Sequence, residues 1–67
     1  MAQFNKGQVR LKLIGTDGNA FAIIGRARRA MQRAGATIAE MEQFSKAARS
    51  DDYDNLLRVC MLWFDVV

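Results

Sequence analysis

The sequence contains no histidine and no proline, and Cys60 is its single cysteine. Without histidine, the common zinc sites and the histidine-based triads and general bases are excluded. A single cysteine cannot form an intramolecular disulfide, which fits a reducing compartment, so we expect a cytoplasmic location. Because Cys60 is surrounded in sequence by apolar residues, we expect a small core residue and not a reactive thiol. These absences argue against an enzyme and against any metal or other cofactor.

Long hydrophobic runs are also missing. The longest, residues 59–64, has six residues, whereas a membrane-spanning helix needs about 20. Residues 1–10 lack an apolar signal core, so neither export nor membrane contact is expected. The chain has 67 residues, of which 51% are hydrophobic and 25% charged. This composition predicts one small folded domain over residues 1–67, with residues 1–7 loose and Phe4 at the surface.

The net charge of +3 is distributed unevenly along the chain. Residues 1–34 carry seven basic side chains and one acidic one, for a formal charge of +6. Residues 35–67 carry three basic and six acidic side chains, for −3. The two halves are therefore expected to attract each other within the fold, or to attract a second copy head to tail.

The first element is predicted to be a strand. Apolar and basic residues alternate over residues 8–15, and this period of two indicates a half-buried strand. Arg10 and Lys12 would lie on its outer face. The turn sequence TDGN follows, in which either Asp17 or Asn19 can cap the next helix.

The spacing becomes helical from Ala20 to Ala34, and Gly35 is suited to a left-handed helix end. The predicted buried arc, widened by Ile23 and Ala30, consists of Ala20, Phe21, Ile24, Ala27, Met31 and Ala34. Three arginines lie together on the opposite arc: Arg26, Arg29 and Arg33.

A second helix is predicted to begin with a capping box, formed by Thr37 and Glu40. Its polar side can hold an ion pair between Glu42 and Lys46, which are one turn apart. The predicted buried stripe consists of Ile38, Met41, Phe44 and Ala48.

Ser50 is the predicted cap of a third helix, which would end at about Leu62. Three aspartates near its start suit the positive end of the helix dipole. The residues that fit one face are Tyr53, Leu56, Leu57, Cys60 and Phe64. Residues 59–67 fit either a continuing helix or a buried strand. We favour the helix to about Leu62 followed by a short strand FDVV beside residues 8–15, which gives an α+β domain with three helices.

Three familiar ligand sites do not fit the sequence. The glycines Gly15, Gly18 and Gly25 have the wrong spacing for a dinucleotide loop, and no Gly-Lys-Ser/Thr is present. The acidic cluster at residues 51–54 lacks the glycine and glutamate of an EF-hand, and a helix cap explains it. If the first two helices formed a helix-turn-helix, the recognition helix would begin with acidic residues, which DNA phosphates would repel.

The strongest functional signal is a surface that we name the basic face: Arg10, Lys12, Arg26, Arg29 and Arg33. We expect it to bind a protein partner with an acidic surface. The alternatives are contact with nucleic-acid phosphates and a merely solvated helix face. Arg28, nearest the apolar arc, is expected to pair with the aspartates of the third helix.

The C-terminus holds more apolar surface than one helix face can bury, which suggests an apolar interface at Leu62, Trp63 and Val67. A terminal edge strand could also pair with a second chain, so a homodimer and a monomer both stay open.

Two segments carry a resemblance to known proteins. DGNAFAIIGRARRAMQRAG and SDDYDNLLRVCMLWFDVV resemble a group of short, largely uncharacterised proteins of phages, plasmids and bacterial genomes, which share the DGNAF and DYDxLL motifs. The resemblance covers nearly the whole chain but brings no assigned activity or site. It implies a non-enzymatic protein, since small phage proteins of this kind often inhibit host defence complexes such as CRISPR effectors.

Overall fold

The computed structural model describes residues 4–13, 15 and 18–67. The chain forms strand β1 (Arg10–Leu11), helices α1 (Ala20–Arg33), α2 (Ile38–Ala48) and α3 (Tyr53–Trp63), and strand β2 (Asp65–Val66). Each helix contacts the other two, and the strands join the chain's two ends. The predicted α+β class, with three helices and a C-terminal strand beside the first, is confirmed.

The two strands pair in parallel, with Arg10 opposite Asp65 and Leu11 opposite Val66. Both are shorter than predicted, although backbone bonds from Asp65 N to Val9 O and from Leu13 N to Val67 O extend the pairing beyond them. The predicted alternation holds, because Leu11 is buried while Arg10 and Lys12 are exposed. The sheet thus fixes two cations on its solvent side.

Helix α1 begins at the residue after Asn19, whose side chain accepts a hydrogen bond from the Phe21 amide at 2.9 Å. The alternative cap, Asp17, lies outside the described residues. Gly35 adopts a φ of 89°, the left-handed conformation predicted for the helix end. The predicted burial of Phe21 is wrong, since 79% of this residue is exposed. At 100° per residue, Phe21 lies about 120° from the centre of the arc that is buried.

Helix α2 has the predicted capping box: Glu40 N donates to Thr37 Oγ1, and Thr37 N donates to Glu40 Oε1. Phe44 and Ala48 are buried as predicted, but Ile38 is 69% exposed. The buried stripe is centred between Phe44 and the buried Ser45, which leaves Ile38 at its margin on the first turn. Glu42 and Lys46, both exposed, form no ion pair with each other.

Helix α3 is capped by Asp52, which accepts from the Asn55 amide at 2.9 Å, so the predicted cap at Ser50 is wrong. The Ser50 hydroxyl instead donates to Ala47 O at 2.8 Å and serves the end of α2. The helix continues to Trp63, close to the predicted end. Leu56 is buried as predicted, but Tyr53 is partly exposed, and its hydroxyl donates to Gly18 O at 2.6 Å.

Four aromatic residues form what we name the aromatic cluster: Phe4, Phe44, Trp63 and Phe64. Their ring centroids lie 5.4–6.0 Å apart, the range in which aromatic pairs attract beyond simple burial. Phe4 is buried, contrary to the predicted surface position, because it packs on Trp63 and Phe64. The expected looseness of residues 1–7 stays a prediction, and residues 1–3 are outside the described part.

Candidate binding surface

The outer side of α1 carries the centre of the basic face. Arg29 and Arg33 are exposed and lie one helical turn apart. Neither makes an ion pair or hydrogen bond with any described residue. Two guanidinium groups are therefore available to a partner from the side of α1 that points away from the core.

Arg28 lies on one flank of this arc and is held by α2. Its Nη1 donates to Ser45 Oγ at 2.8 Å, and the same hydroxyl donates to Met41 O at 2.9 Å. The predicted pairing with the aspartates of α3 is wrong, because this flank of α1 faces α2. Ser45 is 4% exposed, so Arg28 satisfies a buried hydroxyl and positions α1 against α2.

Arg26 lies on the other flank and is partly buried. Its Nε is buried and has no hydrogen-bond partner within the described part of the chain. A buried donor without a partner carries a desolvation cost. Arg26 is thus less free to reach outward than Arg29 or Arg33, although all three were placed on one arc by their spacing.

The strand contributes the other two cations. Arg10 Nε lies 3.9 Å from Asp65 Oδ2, but 76% of the arginine side chain is exposed. An exposed pair at this distance contributes little, of the order of 0–1 kcal/mol. This pair, which is the one ion pair among the described residues, joins one residue of the basic half to one of the acidic half, and the wider attraction between the halves stays a prediction. Lys12 is exposed and makes no ion pair or hydrogen bond with a residue that the structure describes.

The structure brings the strand and helix parts of the basic face onto neighbouring elements, because α1 contacts β1 directly. Four of its five members are exposed: Arg10, Lys12, Arg29 and Arg33. Arg26 is the exception. The arrangement can present several positive charges to an anionic surface.

The predicted apolar interface is only partly accessible. Leu62 is 67% exposed and Val67 is also exposed, whereas Trp63 is 7% exposed. Trp63 is removed from the predicted interface because it packs in the aromatic cluster, with Lys6 Nζ 4.1 Å from its ring centroid. Met61, which adjoins Leu62, is 62% exposed and extends the apolar surface.

Cys60 is fully buried, and burial raises its pKa from 9.0 to about 11. The thiol is therefore neutral at physiological pH and shielded from reagents. Across the described ranges 4–13, 15 and 18–67, no three cysteine, aspartate or glutamate side chains converge to hold a metal ion.

One surface feature was not predicted: an open pocket of about 310 Å³ between the starts of α1 and α3. Phe21 and Tyr53 line it together with Asp51 and Asp52. Helical spacing puts Phe21 only about 60° from Ile24, so it predicted burial of Phe21 and gave no indication of the pocket. The contact between α1 and α3 that forms the pocket has no signal in the sequence.

Comparisons with family models, with curated proteins and with solved structures each returned no match. The resemblance to small phage and plasmid proteins therefore stays a prediction. In the described part of the chain, none of the helices has the length and apolar character needed to cross a membrane.

Proposed function

We propose that this protein is a small non-enzymatic binding protein that docks its basic face onto an acidic surface of a protein partner, as an inhibitor or adaptor. The observation that carries the proposal is the pair Arg29 and Arg33, exposed on one side of α1 and bound to no described residue. Charges arranged in this way raise the rate of encounter with a complementary surface and select the partner.

A protein partner is favoured over nucleic acid by the apolar side chains that are also exposed. Met61 and Leu62 stand side by side on α3, each more than 60% exposed. Protein interfaces combine an apolar centre with a charged rim, whereas phosphate contacts need charge alone. The basic face would supply orientation, and such apolar residues would add burial.

The resemblance to phage and plasmid proteins supplies a setting for this proposal. In that setting the partner would be a host macromolecular assembly, including a defence complex of the CRISPR type, and the protein would act in the cytoplasm. The alternative is a nucleic-acid-binding accessory protein that contacts phosphates through the same basic face.

The first experiment is affinity capture from a bacterial lysate with three baits. These are the wild-type protein, the double variant Arg29→Ala/Arg33→Ala, and Arg58→Ala. Arg58 is an exposed arginine of α3 outside the basic face, so it is a control matched in charge type. We expect partners that the wild type and Arg58→Ala retain and the double variant loses. Capture that ignores Arg29 and Arg33 would overturn the proposal.

The second experiment separates the two kinds of partner. A mobility shift with a 20-base-pair DNA duplex and a single-stranded RNA is measured over a salt series. Phosphate binding predicts that the affinity falls steeply as the salt concentration rises. In the double variant, the affinity should be lower and its dependence on salt less steep. We expect no shift at physiological salt. A specific, arginine-dependent shift there would favour the nucleic-acid alternative.

A further inference from the structure

The pocket between the starts of α1 and α3 combines an apolar lining with an acidic edge. Ile24 and Leu56 lie at its buried side, and Phe21 stands at its edge with 79% of its surface exposed. The volume of about 310 Å³ lies at the small end of the range for ligand pockets. It suits one or two side chains of a partner better than a large ligand.

The pocket is braced on the side of α3. The Tyr53 hydroxyl donates to Gly18 O at 2.6 Å, which fixes the start of α3 to the loop before α1. This bond leaves the aromatic ring of Tyr53 in the pocket lining. The pocket is therefore held open by the same contact that joins the two helix starts.

The charges at the edge are predominantly negative. Asp51 Oδ1 accepts from the Asp52 amide, and Asp52 Oδ1 accepts from the Asn55 amide, both at 2.9 Å. The second oxygen of each carboxylate remains free of described partners, whereas Asp54, on the first turn of α3, is exposed but does not line the pocket. The lining also contains one basic residue, Arg49. Its Nε donates to Ser45 O at 3.3 Å, which ties this side chain to α2.

We propose that this pocket binds a segment of a partner protein in which an apolar or aromatic side chain is flanked by arginine or lysine. The apolar side chain would occupy the space between Phe21 and Tyr53. The flanking cations would meet the free carboxylate oxygens of Asp51 and Asp52. This site has the opposite charge preference from the basic face, so the protein would carry two independent docking surfaces, as an adaptor requires.

The test is an NMR titration of the ¹⁵N-labelled full chain with the capped tripeptide Ac-Arg-Phe-Arg-NH₂. Two matched peptides, Ac-Glu-Phe-Glu-NH₂ and Ac-Arg-Gly-Arg-NH₂, remove the charge complement and the apolar group in turn. We expect shifts at amides of residues 18–24 and 48–56. We also expect each matched peptide to bind at least about tenfold more weakly.

Each contribution has a variant and a matched control. Phe21→Ala is compared with Ile38→Ala, another exposed apolar residue on the first turn of a helix. Asp51→Asn/Asp52→Asn is compared with Asp54→Asn. Asparagine caps a helix about as well as aspartate, so the double variant removes charge and keeps the fold. We expect weaker binding of Ac-Arg-Phe-Arg-NH₂ only in the pocket variants.

Three results would overturn the inference. They are shifts confined to residues outside the pocket, equal binding of the glutamate peptide, and concentration-dependent shifts of the pocket amides without peptide. The last would show that a second copy of the chain occupies the site. Arg29→Ala/Arg33→Ala should bind the tripeptide like the wild type, so failure of the basic-face proposal would not be mistaken for failure here.

Discussion

The aromatic residues at the two ends of α3 differ in their exposure to solvent. At its C-terminal end Trp63 is buried in the aromatic cluster. At its N-terminal end, about 15 Å away along the helix, Tyr53 and its neighbour Phe21 face solvent around an open pocket. The same residue type thus stabilises the fold at one end and is left available at the other.

This difference indicates which apolar residues the fold requires. A chain of 67 residues has a small core and therefore a low free energy of unfolding. Its aromatic cluster joins the N-terminal segment, α2 and the residues after α3. The exposed Phe21 makes no comparable contact, so the fold does not depend on it and its ring is available to the proposed docking pocket.

The largest expected effect comes from breaking the aromatic cluster. Phe44 is fully buried and lies 5.6 Å, centroid to centroid, from both Trp63 and Phe64. Phe44→Ala should lower the free energy of unfolding by about 3–5 kcal/mol, which matches the whole stability expected of so small a domain. Circular dichroism with urea should find the variant largely unfolded. A cooperative transition close to that of the wild type would contradict the assigned core.

The second effect concerns the buried thiol beside that cluster. Because burial raises the pKa of Cys60 from 9.0 to about 11, the folded state holds its proton at pH values where the unfolded state loses it. This contribution is complete below about pH 9 and is lost as pH rises toward 11. The loss should reach roughly 1–3 kcal/mol. Urea denaturation at pH 8 and pH 10.5 measures it, and Cys60→Ala should show a smaller pH dependence. An equal dependence in both proteins would remove Cys60 as the cause.

A third, smaller effect tests the contact between α1 and α2. Ser45→Ala and Arg28→Ala should each cost about 1 kcal/mol, because each removes the 2.8 Å bond between the two side chains. The double variant should cost less than the sum of the single ones, since both single changes remove the same bond. Urea denaturation of the four proteins completes the cycle. Strict additivity would show that the bond is not formed in solution.

The smallest expected effect on stability concerns the exposed Phe21, beside the N-terminal end of α3. Phe21→Ala should change the free energy of unfolding by no more than about 0.5 kcal/mol, because most of the side chain is already in water. The measurement is again urea denaturation, with Ile38→Ala as the control. A loss above 2 kcal/mol on this scale would mean that Phe21 is a core residue after all.

Much of the fold could be predicted from local sequence signals. The capping box at Thr37 and the left-handed Gly35 depend on neighbouring residues only, and both are confirmed. The burial of Phe4 and the exposure of Phe21 and Ile38 could not be derived in this way. They depend on which elements pack together, and helical period alone fixes the apolar arc only to within a residue or two.

In the candidate site, too, the features set by local spacing were predictable and those set by packing were not. Spacing alone put Arg29 and Arg33 on the outer side of α1, where they are exposed. It could not foresee that Arg28 would bind Ser45 or that the Nε of Arg26 would be buried, because both depend on the packing around α1. The α1–α3 pocket is a purely tertiary feature.

The measurement that tests the central claim most directly is quantitative capture of lysate partners by the wild type, Arg29→Ala/Arg33→Ala and Arg58→Ala. If the exposed guanidinium groups of Arg29 and Arg33 bind a partner, the wild type and Arg58→Ala should retain that partner and the double variant should lose it. Equal recovery by all three baits would contradict a binding role for the basic face.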